Sequence, residues 1–282
     1  MNDFSRAAGL ANWFEYAPET GSTNTDLIRR AGSIDSTESL PDFSVLVAGF
    51  QTAGRGRSAR EWVAPAGSSL FVSILLRPTP AISPDSYAWL PLLGGLAMRN
   101  AVVRLAGQSA VDPVVDPVRV VVKWPNDVLI AEPDAQDFGG HRKAAGVLSE
   151  LLPDLSGVVV GAGLNLTQTR EQLPVETATS LALNGISASI EAALEAYLFE
   201  FRGLYANFVR ANGDAAASGL RQAVVDACAS VGRRVRVILP GDVERLGTAK
   251  GIDSSGRLTV LFDGENAATS VAAGDIVHLR HN

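Results

Sequence analysis

The stretch Val118-Arg119-Val120-Val121-Val122-Lys123-Trp124-Pro125-Asn126-Asp127 joins a valine-rich run to a dense polar pentapeptide. The first half has the composition of a buried strand. The second half sets a cation, an indole, a rigid turn residue, an amide and a carboxylate at the end of that strand. Strand ends are where α/β proteins usually bind ligands. Pro125 donates no backbone hydrogen bond and biases Trp124 toward an extended conformation. Trp124 can pack inward beneath a turn or face a ligand, and this string alone leaves both open. Asp127 can hold Mg2+ or act as a base.

Outward from this strand, the pattern predicts an alternation of strands and helices. Upstream lie strands at Val45–Phe50 and Ser69–Leu76 and a buried helix over Tyr87–Leu105. Before them, Thr23 followed by Asp26 resembles a capping box for a short helix over Asn24–Ala31. Downstream, Asp127–Ile130, Ala144–Leu151 and Gly157–Leu166 read as strands. Residues 132–142 read as a polar, mobile insertion that bulges outward without displacing Lys143. Leu194, Tyr197, Leu198, Phe201, Leu204, Tyr205 and Phe208 recur at helical spacing and mark a core-facing helix. After a last helix ending near Ser230, short strands alternate with Pro-Gly, Ser-Gly and Asp-Gly turns. That pattern predicts a small all-β barrel. The expected division is 1–230 for the large α+β or α/β domain and 231–282 for the barrel.

Composition narrows the function classes. The chain has 282 residues, 46% of them hydrophobic, which supplies a sizeable core. A net charge of −6 argues against a general nucleic-acid binder. One cysteine, Cys228, excludes an internal disulfide and a cysteine-based zinc cluster, and His141, His278 and His281 lack metal-ligand spacing. Cys228 is expected to pack as a small apolar side chain. There is no signal peptide pattern and no uninterrupted apolar run of about 20 residues, so a cytoplasmic setting with no membrane partner is expected.

Four more strings carry chemistry. Gln51-Thr52-Ala53-Gly54-Arg55-Gly56-Arg57-Ser58-Ala59-Arg60 follows a strand directly. Its glycines permit a tight turn near an anion and its arginines can clamp phosphate or carboxylate. Neither the GxGxxG fingerprint nor the Walker lysine motif is present. Lys143-Ala144-Ala145-Gly146 opens a strand with a cation, and Gly161-Ala162-Gly163-Leu164-Asn165 ends one with two glycines and an amide. Thr20-Gly21-Ser22-Thr23-Asn24 doubles as a helix cap. These strings bring four cations (Arg57, Arg60, Lys123 and Lys143) to strand ends, with no Ser-His-Asp or Cys-His set. That inventory suits a reaction driven by charge neutralisation, such as joining a carboxylate to the α-phosphate of ATP.

In this order, Gly-Ser-Thr-Asn, Gln-Thr-Ala-Gly-Arg-Gly-Arg, Lys-Trp-Pro-Asn-Asp, Lys-Ala-Ala-Gly-Val-Leu and Gly-Ala-Gly-Leu-Asn resemble the motifs of the biotin protein ligases, actinobacterial members in particular. The resemblance implies an α+β fold, with a mixed sheet packed by helices as in class II synthetases, and a C-terminal SH3-like β-barrel. It implies a two-step reaction: biotin and ATP form biotinyl-5′-AMP and pyrophosphate, and the acyl group passes to one lysine of a biotin carboxyl carrier domain of an acyl-CoA carboxylase. Ser22, Thr23 and Gln51 would position the ureido ring, with Asn24, Gly54, Arg55, Arg57 and Gly146 completing the biotin site. Arg57 and Arg60 would face phosphates, joined at the ATP site by Lys123, Asn126 and Asn165. Lys143 would hold the biotin carboxylate and then the adenylate's bridging region. Asp127 would serve Mg2+ or assist deprotonation of the acceptor lysine. Lys143, Asp127 and Arg57 form the catalytic set, and Gly146 and Gly163 would allow a ligand to come close.

Three features depart from the family pattern. Ala59 replaces a loop glycine, Lys143-Ala144-Ala145-Gly146 replaces Lys-Leu-Ala-Gly, and the insertion between Asp127 and Lys143 is long. A DNA-binding repressor of the same family is disfavoured, because the first motif begins by residue 20 and the chain is expected to be of the monofunctional type. The nearer rival is a lipoate or octanoate transferase of the same fold, whose acyl chain has less use for Ser22, Thr23 and Gln51.

Overall fold

The computed structural model describes residues 3–32, 39–57, 60–108, 119–135, 138–239, 243–271 and 275–278. Ser58 and Ala59 of the Gly-Arg loop, the Asp112–Pro117 stretch, Val118, Arg280 and His281 lie outside the described residues.

A seven-stranded mixed sheet forms the centre. Its strands are β1 (Trp13–Ala17), β2 (Ser44–Ala48), β3 (Ser69–Leu76), β4 (Val120–Lys123), β5 (Asp127–Ala131), β6 (His141–Leu151) and β7 (Val158–Asn165), in the order β1-β2-β3-β7-β6-β5-β4. Only β1 and β2 run parallel, across helix α2 (Thr23–Ala31), once the short α1 (Ser5–Ala8) has led in. The other neighbours in this sheet are antiparallel. Strands β2, β3 and β7 are buried along their whole length. Burial on both faces requires near-continuous apolar runs, which is why these strands do not alternate.

The two faces of the sheet have different partners. On one face lie α3 (Leu90–Gln108) and α4 (Ile190–Arg210), whose buried side chains share a cluster with Val45, Val47, Val72, Ile74 and Val160. Twelve α3 residues are buried, as expected for a mostly apolar helix. On the other face, α2 packs Leu27 against Leu46, Leu75 and Val159. That helix covers only part of the face, and the uncovered part becomes the floor of the cavity described below.

Helix α5 (Leu220–Ala227) leads to a second, all-antiparallel sheet of five strands: β8 (Arg234–Leu239), β9 (Val243–Ile252), β10 (Leu258–Phe262), β11 (Thr269–Val271) and β12 (Asp275–His278), in the order β11-β10-β9-β8-β12. Val235, Val237, Ala249, Leu258, Val260 and Phe262 pack into the same apolar cluster as α3 and α4. The fold is therefore α+β, a mixed sheet packed with helices plus an SH3-like C-terminal unit, as the sequence predicts.

Three sequence expectations need correction. The α2 N-cap is Ser22, with no side-chain cap bond, and the Thr23 amide donates instead to Gln51 Oε1 at 2.8 Å. Asp26 accepts from Thr20 and so closes no capping box on Thr23. The insertion at 132–142 does not simply bulge outward. His141 and Arg142 belong to β6, Glu132 is buried, and Phe138 turns back over Lys123, its ring centroid 5.0 Å from the ammonium. Buried charge partners, described below, keep this polar segment against the body. Finally, the turn-punctuated pattern places a strand over Gly247–Ile252, whereas that strand, β9, begins at Val243, because the ladder with β8 continues through Leu239.

Candidate active site

A cavity of about 560 Å³ opens on the sheet face that α2 leaves bare. Ser22, Thr23, Asn24, Gln51, Arg55, Arg57, Arg60, Lys123, Asn126, Asp127, Lys143, Gly146 and Asn165 all line it. These residues come from five separate strings of sequence, and the antiparallel order β7-β6-β5-β4 brings the last three strings side by side. Gly54 does not line the wall. A side chain there would strike the Trp62 carbonyl, so this glycine serves the close approach of two loop strands.

One end of the cavity is a polar lattice. Thr23 donates to Gln51 Oε1 from both its amide and its hydroxyl, at 2.8 and 3.1 Å. Ser73 Oγ donates to Asn24 Oδ1 at 2.6 Å and lies 2.8 Å from Thr23 Oγ1. The Asn24 amide donates to Leu148 O at 3.2 Å and Glu150 Oε2 at 2.8 Å. Asn24 is thus tied into β3 and β6, and it braces the residues beside it. Glu150 also accepts from Arg55 at 2.9 Å, which ties the Gly-Arg loop to β6.

The other end is strongly charged. Lys143 Nζ stands 2.7 Å from Asp127 Oδ1, and Lys123 Nζ 3.9 Å from Asp127 Oδ2. Burial pulls the Lys123 ammonium below the ordinary lysine value; Asp127 opposes this, while Lys143, Arg60 and Arg57 reinforce it. The Arg57 guanidinium is likewise lowered by burial, against the pull of Asp127. Arg57 Nη1 donates to Asn126 Oδ1 at 3.4 Å, and Asn126 Nδ2 to Val147 O at 2.7 Å. Asn165 Nδ2 donates to Thr179 O at 2.9 Å, and its Oδ1 accepts from Gln168 at 3.1 Å. Two of the expected nucleotide contacts, Asn126 and Asn165, are therefore also braces within the chain.

Trp124, which the sequence left open, points away from the cavity. It is 2% exposed and its indole donates to Gly256 O at 2.9 Å, while its amide donates to Ser230 Oγ at 3.2 Å. Trp89 donates similarly to Ser254 O at 2.9 Å. The two indoles, one just before α3 and one just after β4, dock the β9–β10 turn onto the large domain.

Sequence reasoning missed Trp62. Its indole lies against both glycines of the floor: a Cβ would stand 2.9 Å from it at Gly146 and 2.7 Å at Gly163. The expected close neighbour of these glycines was a ligand, and in this structure it is the indole. Lys143 Nζ sits 5.3 Å from the same ring. The position of Trp62, two residues beyond Arg60, was the only available signal. Phe138 and Ile238 also line the cavity, from segments that pattern reading treated as an outward insertion and a separate barrel. Among the described residues, no three His, Cys, Asp or Glu side chains gather as a metal site.

The chain matches the model of the biotin/lipoate A/B protein ligase family over residues 16–165 and that of the biotin protein ligase C-terminal domain over 231–279. It is 35% identical to the biotin–[acetyl-CoA-carboxylase] ligase of Mycobacterium tuberculosis over 269 residues, covering 93% of this chain and 87% of that protein. It is 31% identical to the Escherichia coli bifunctional ligase/repressor BirA over 263 residues, covering 88% of this chain and 68% of that one. The biotin protein ligase of Aquifex aeolicus, solved with biotin and ATP, shares the fold at TM-score 0.69 and 24% identity, covering 96% of this chain and 100% of that one. Matched at both ends, and 35% identical to a ligase along nearly its whole length, the chain belongs to the biotin protein ligase family.

Proposed function

We propose that the chain is an ATP-dependent biotin protein ligase, which activates biotin as biotinyl-5′-AMP and then biotinylates one lysine of a carrier domain of an acyl-CoA carboxylase. The observation that carries this reading is the shared cavity: Arg57, Arg60, Lys123, Lys143 and Asp127 line it together with Ser22, Thr23 and Gln51. Four cations suit two anionic reactants, and the polar lattice suits the ureido ring of biotin. Ligation of biotin to an acetyl-CoA carboxylase is also the activity for which two of the relatives are named.

In the first step a biotin carboxylate oxygen bonds to the α-phosphorus of ATP as the α–β phosphoanhydride breaks and pyrophosphate leaves. Lys143 neutralises the carboxylate, and Arg57, Arg60 and Lys123 offset the phosphate charge in a partly dehydrated site. Asn126 and Asn165 flank the nucleotide. Ser22, Thr23, Gln51 and Arg55 hold the ring and chain of biotin, Gly146 leaves room on the floor for the Trp62 indole, and Asn24 braces Thr23 through Ser73. In the second step the acceptor amine attacks the acyl carbonyl and AMP leaves. Asp127, 2.7 Å from Lys143 Nζ, is placed to receive or orient the departing proton.

The donor set fits a Mg2+ that arrives with the nucleotide. Asp127 is the carboxylate that would hold it, beside the substrate phosphates. When bound, the ion neutralises phosphate charge. We further place the domain boundary at 230/231 and the protein in the cytoplasm; no helix of the described residues is long and apolar enough to cross a membrane.

The test is incubation with biotin, Mg-ATP and a carrier domain, followed by the mass of the carrier. Addition of one biotinyl group is expected. Calorimetry with biotin and lipoate separates the nearer rival, and a clear lipoate preference overturns the reading.

A further inference from the structure

We infer that Glu132, which lines no part of the active-site cavity, is a positioning residue for Lys143. This rests on the proposed role of Lys143. Pairing of β6 with β7 starts only at Ala145, opposite Leu164. On that side Lys143 therefore has no strand neighbour from the sheet. Its place is taken by a returning segment: Lys143 N donates to Thr177 O and Thr179 N donates to Lys143 O, both at 2.8 Å. On the opposite side, the β5–β6 ladder shifts register between Val128 and Leu129, next to Lys143. The backbone that aims this ammonium is thus set by a bulge and a strap rather than by regular pairing.

Glu132 anchors the strap. Its carboxylate is buried behind the bulge and meets four donors. Oε1 accepts from the Thr179 hydroxyl and from Asn184 Nδ2 at 3.1 Å. Oε2 accepts from Arg170 Nη2 at 2.8 Å and pairs with Arg142 Nη1 at 3.2 Å. Arg170 in turn donates to Ala178 O at 2.9 Å, so one carboxylate grips the strap at 178, 179 and 184 and the β6 residue beside Lys143. Thr179 is fully buried. Thr177 and Ala178 line the cavity, so the strap is also a wall of the site. Loosening Thr179 frees the backbone bonds that fix Lys143, and a shift of about 1 Å in a positioned group can cost about 10²-fold in rate.

The experiment compares Thr179→Val, which removes the hydroxyl at equal volume, with Thr179→Ser, which keeps it. Both are assayed by biotin-dependent ATP–pyrophosphate exchange with urea unfolding alongside. For Thr179→Val, kcat should fall about tenfold or more with the KM for ATP within about twofold, in protein that still unfolds cooperatively. Thr179→Ser should restore most of the rate. Wild-type kcat in folded Thr179→Val overturns the inference, as does an equal loss in Thr179→Ser. If Thr179→Val does not fold, Glu132→Gln carries the test, with the same kcat loss expected and a wild-type rate fatal. Undiminished exchange in Lys143→Ala would instead remove the reading of Lys143 on which this one rests.

Discussion

Replacing Lys123 with methionine should leave the protein as stable or more stable while crippling adenylation. Lys123 is 7% exposed, and its ammonium is crowded by Lys143, Arg60 and Arg57. Its one close anion among the described residues, Asp127, stands at 3.9 Å and keeps a better partner in Lys143 at 2.7 Å. The usual penalty for breaking a buried pair, about 3–5 kcal/mol, comes from the charge left behind, and here that charge stays paired. Methionine fills similar volume without desolvating an ion, and replacing whole buried ion pairs with apolar side chains runs from neutral to about 4 kcal/mol stabilising. We expect a gain near 1 kcal/mol, which raises the urea midpoint by about 0.3–1 M.

The linkage has a definite sign. In the unfolded chain the amine titrates near 10.5, and in the folded chain it titrates lower. Between those values the unfolded chain holds more protons, so wild-type stability gains a contribution as pH rises through the folded value, complete above 10.5. Lys123→Met lacks that contribution. Urea titrations across alkaline pH, paired with pyrophosphate exchange at neutral pH, test both halves. A destabilisation beyond about 2 kcal/mol, or wild-type exchange, would refute the reasoning that Lys123 is kept for charge and not for packing.

Lys143→Ala should abolish biotin-dependent pyrophosphate release while the far-ultraviolet circular dichroism stays unchanged; release at the wild-type rate contradicts the assignment. Gly161→Ala would drive a methyl into the Asn24 amide, which is held by three hydrogen bonds. Strain and lost bonds should destabilise by about 3 kcal/mol in urea. Trp124→Phe removes the indole donor to Gly256 O and should cost about 2 kcal/mol, with biotin affinity by calorimetry unchanged. Biotin plus ATP should slow proteolysis in the Gly-Arg loop, because adenylate contacts add ordering energy; equal cleavage with and without ligand counts against that ordering.

Strand and helix assignments were legible wherever burial enforced a pattern. The valine run ending at Lys123, the apolar β3 and β7, and the periodic α4 all fell where their composition placed them. Boundaries drifted where tertiary bonds extend an element: β6 begins at His141, because Glu132 and the 177–179 strap hold residues whose side chains are polar.

By itself, the sequence determined the fold class, the family resemblance and the strings that bear the chemistry, because glycines, cations and turn residues act locally. Only the tertiary structure decided which way those residues face. Trp124 turned out to be a clamp on the C-terminal sheet, while Trp62 lies on the glycine floor. Asn24, Asn126 and Asn165 line the cavity and brace the chain at once. Glu132 became the anchor of a strap reaching as far as Asn184. The physical reason is that a buried polar group must find its partner wherever the packed chain supplies one, and these partners lie up to 132 residues away.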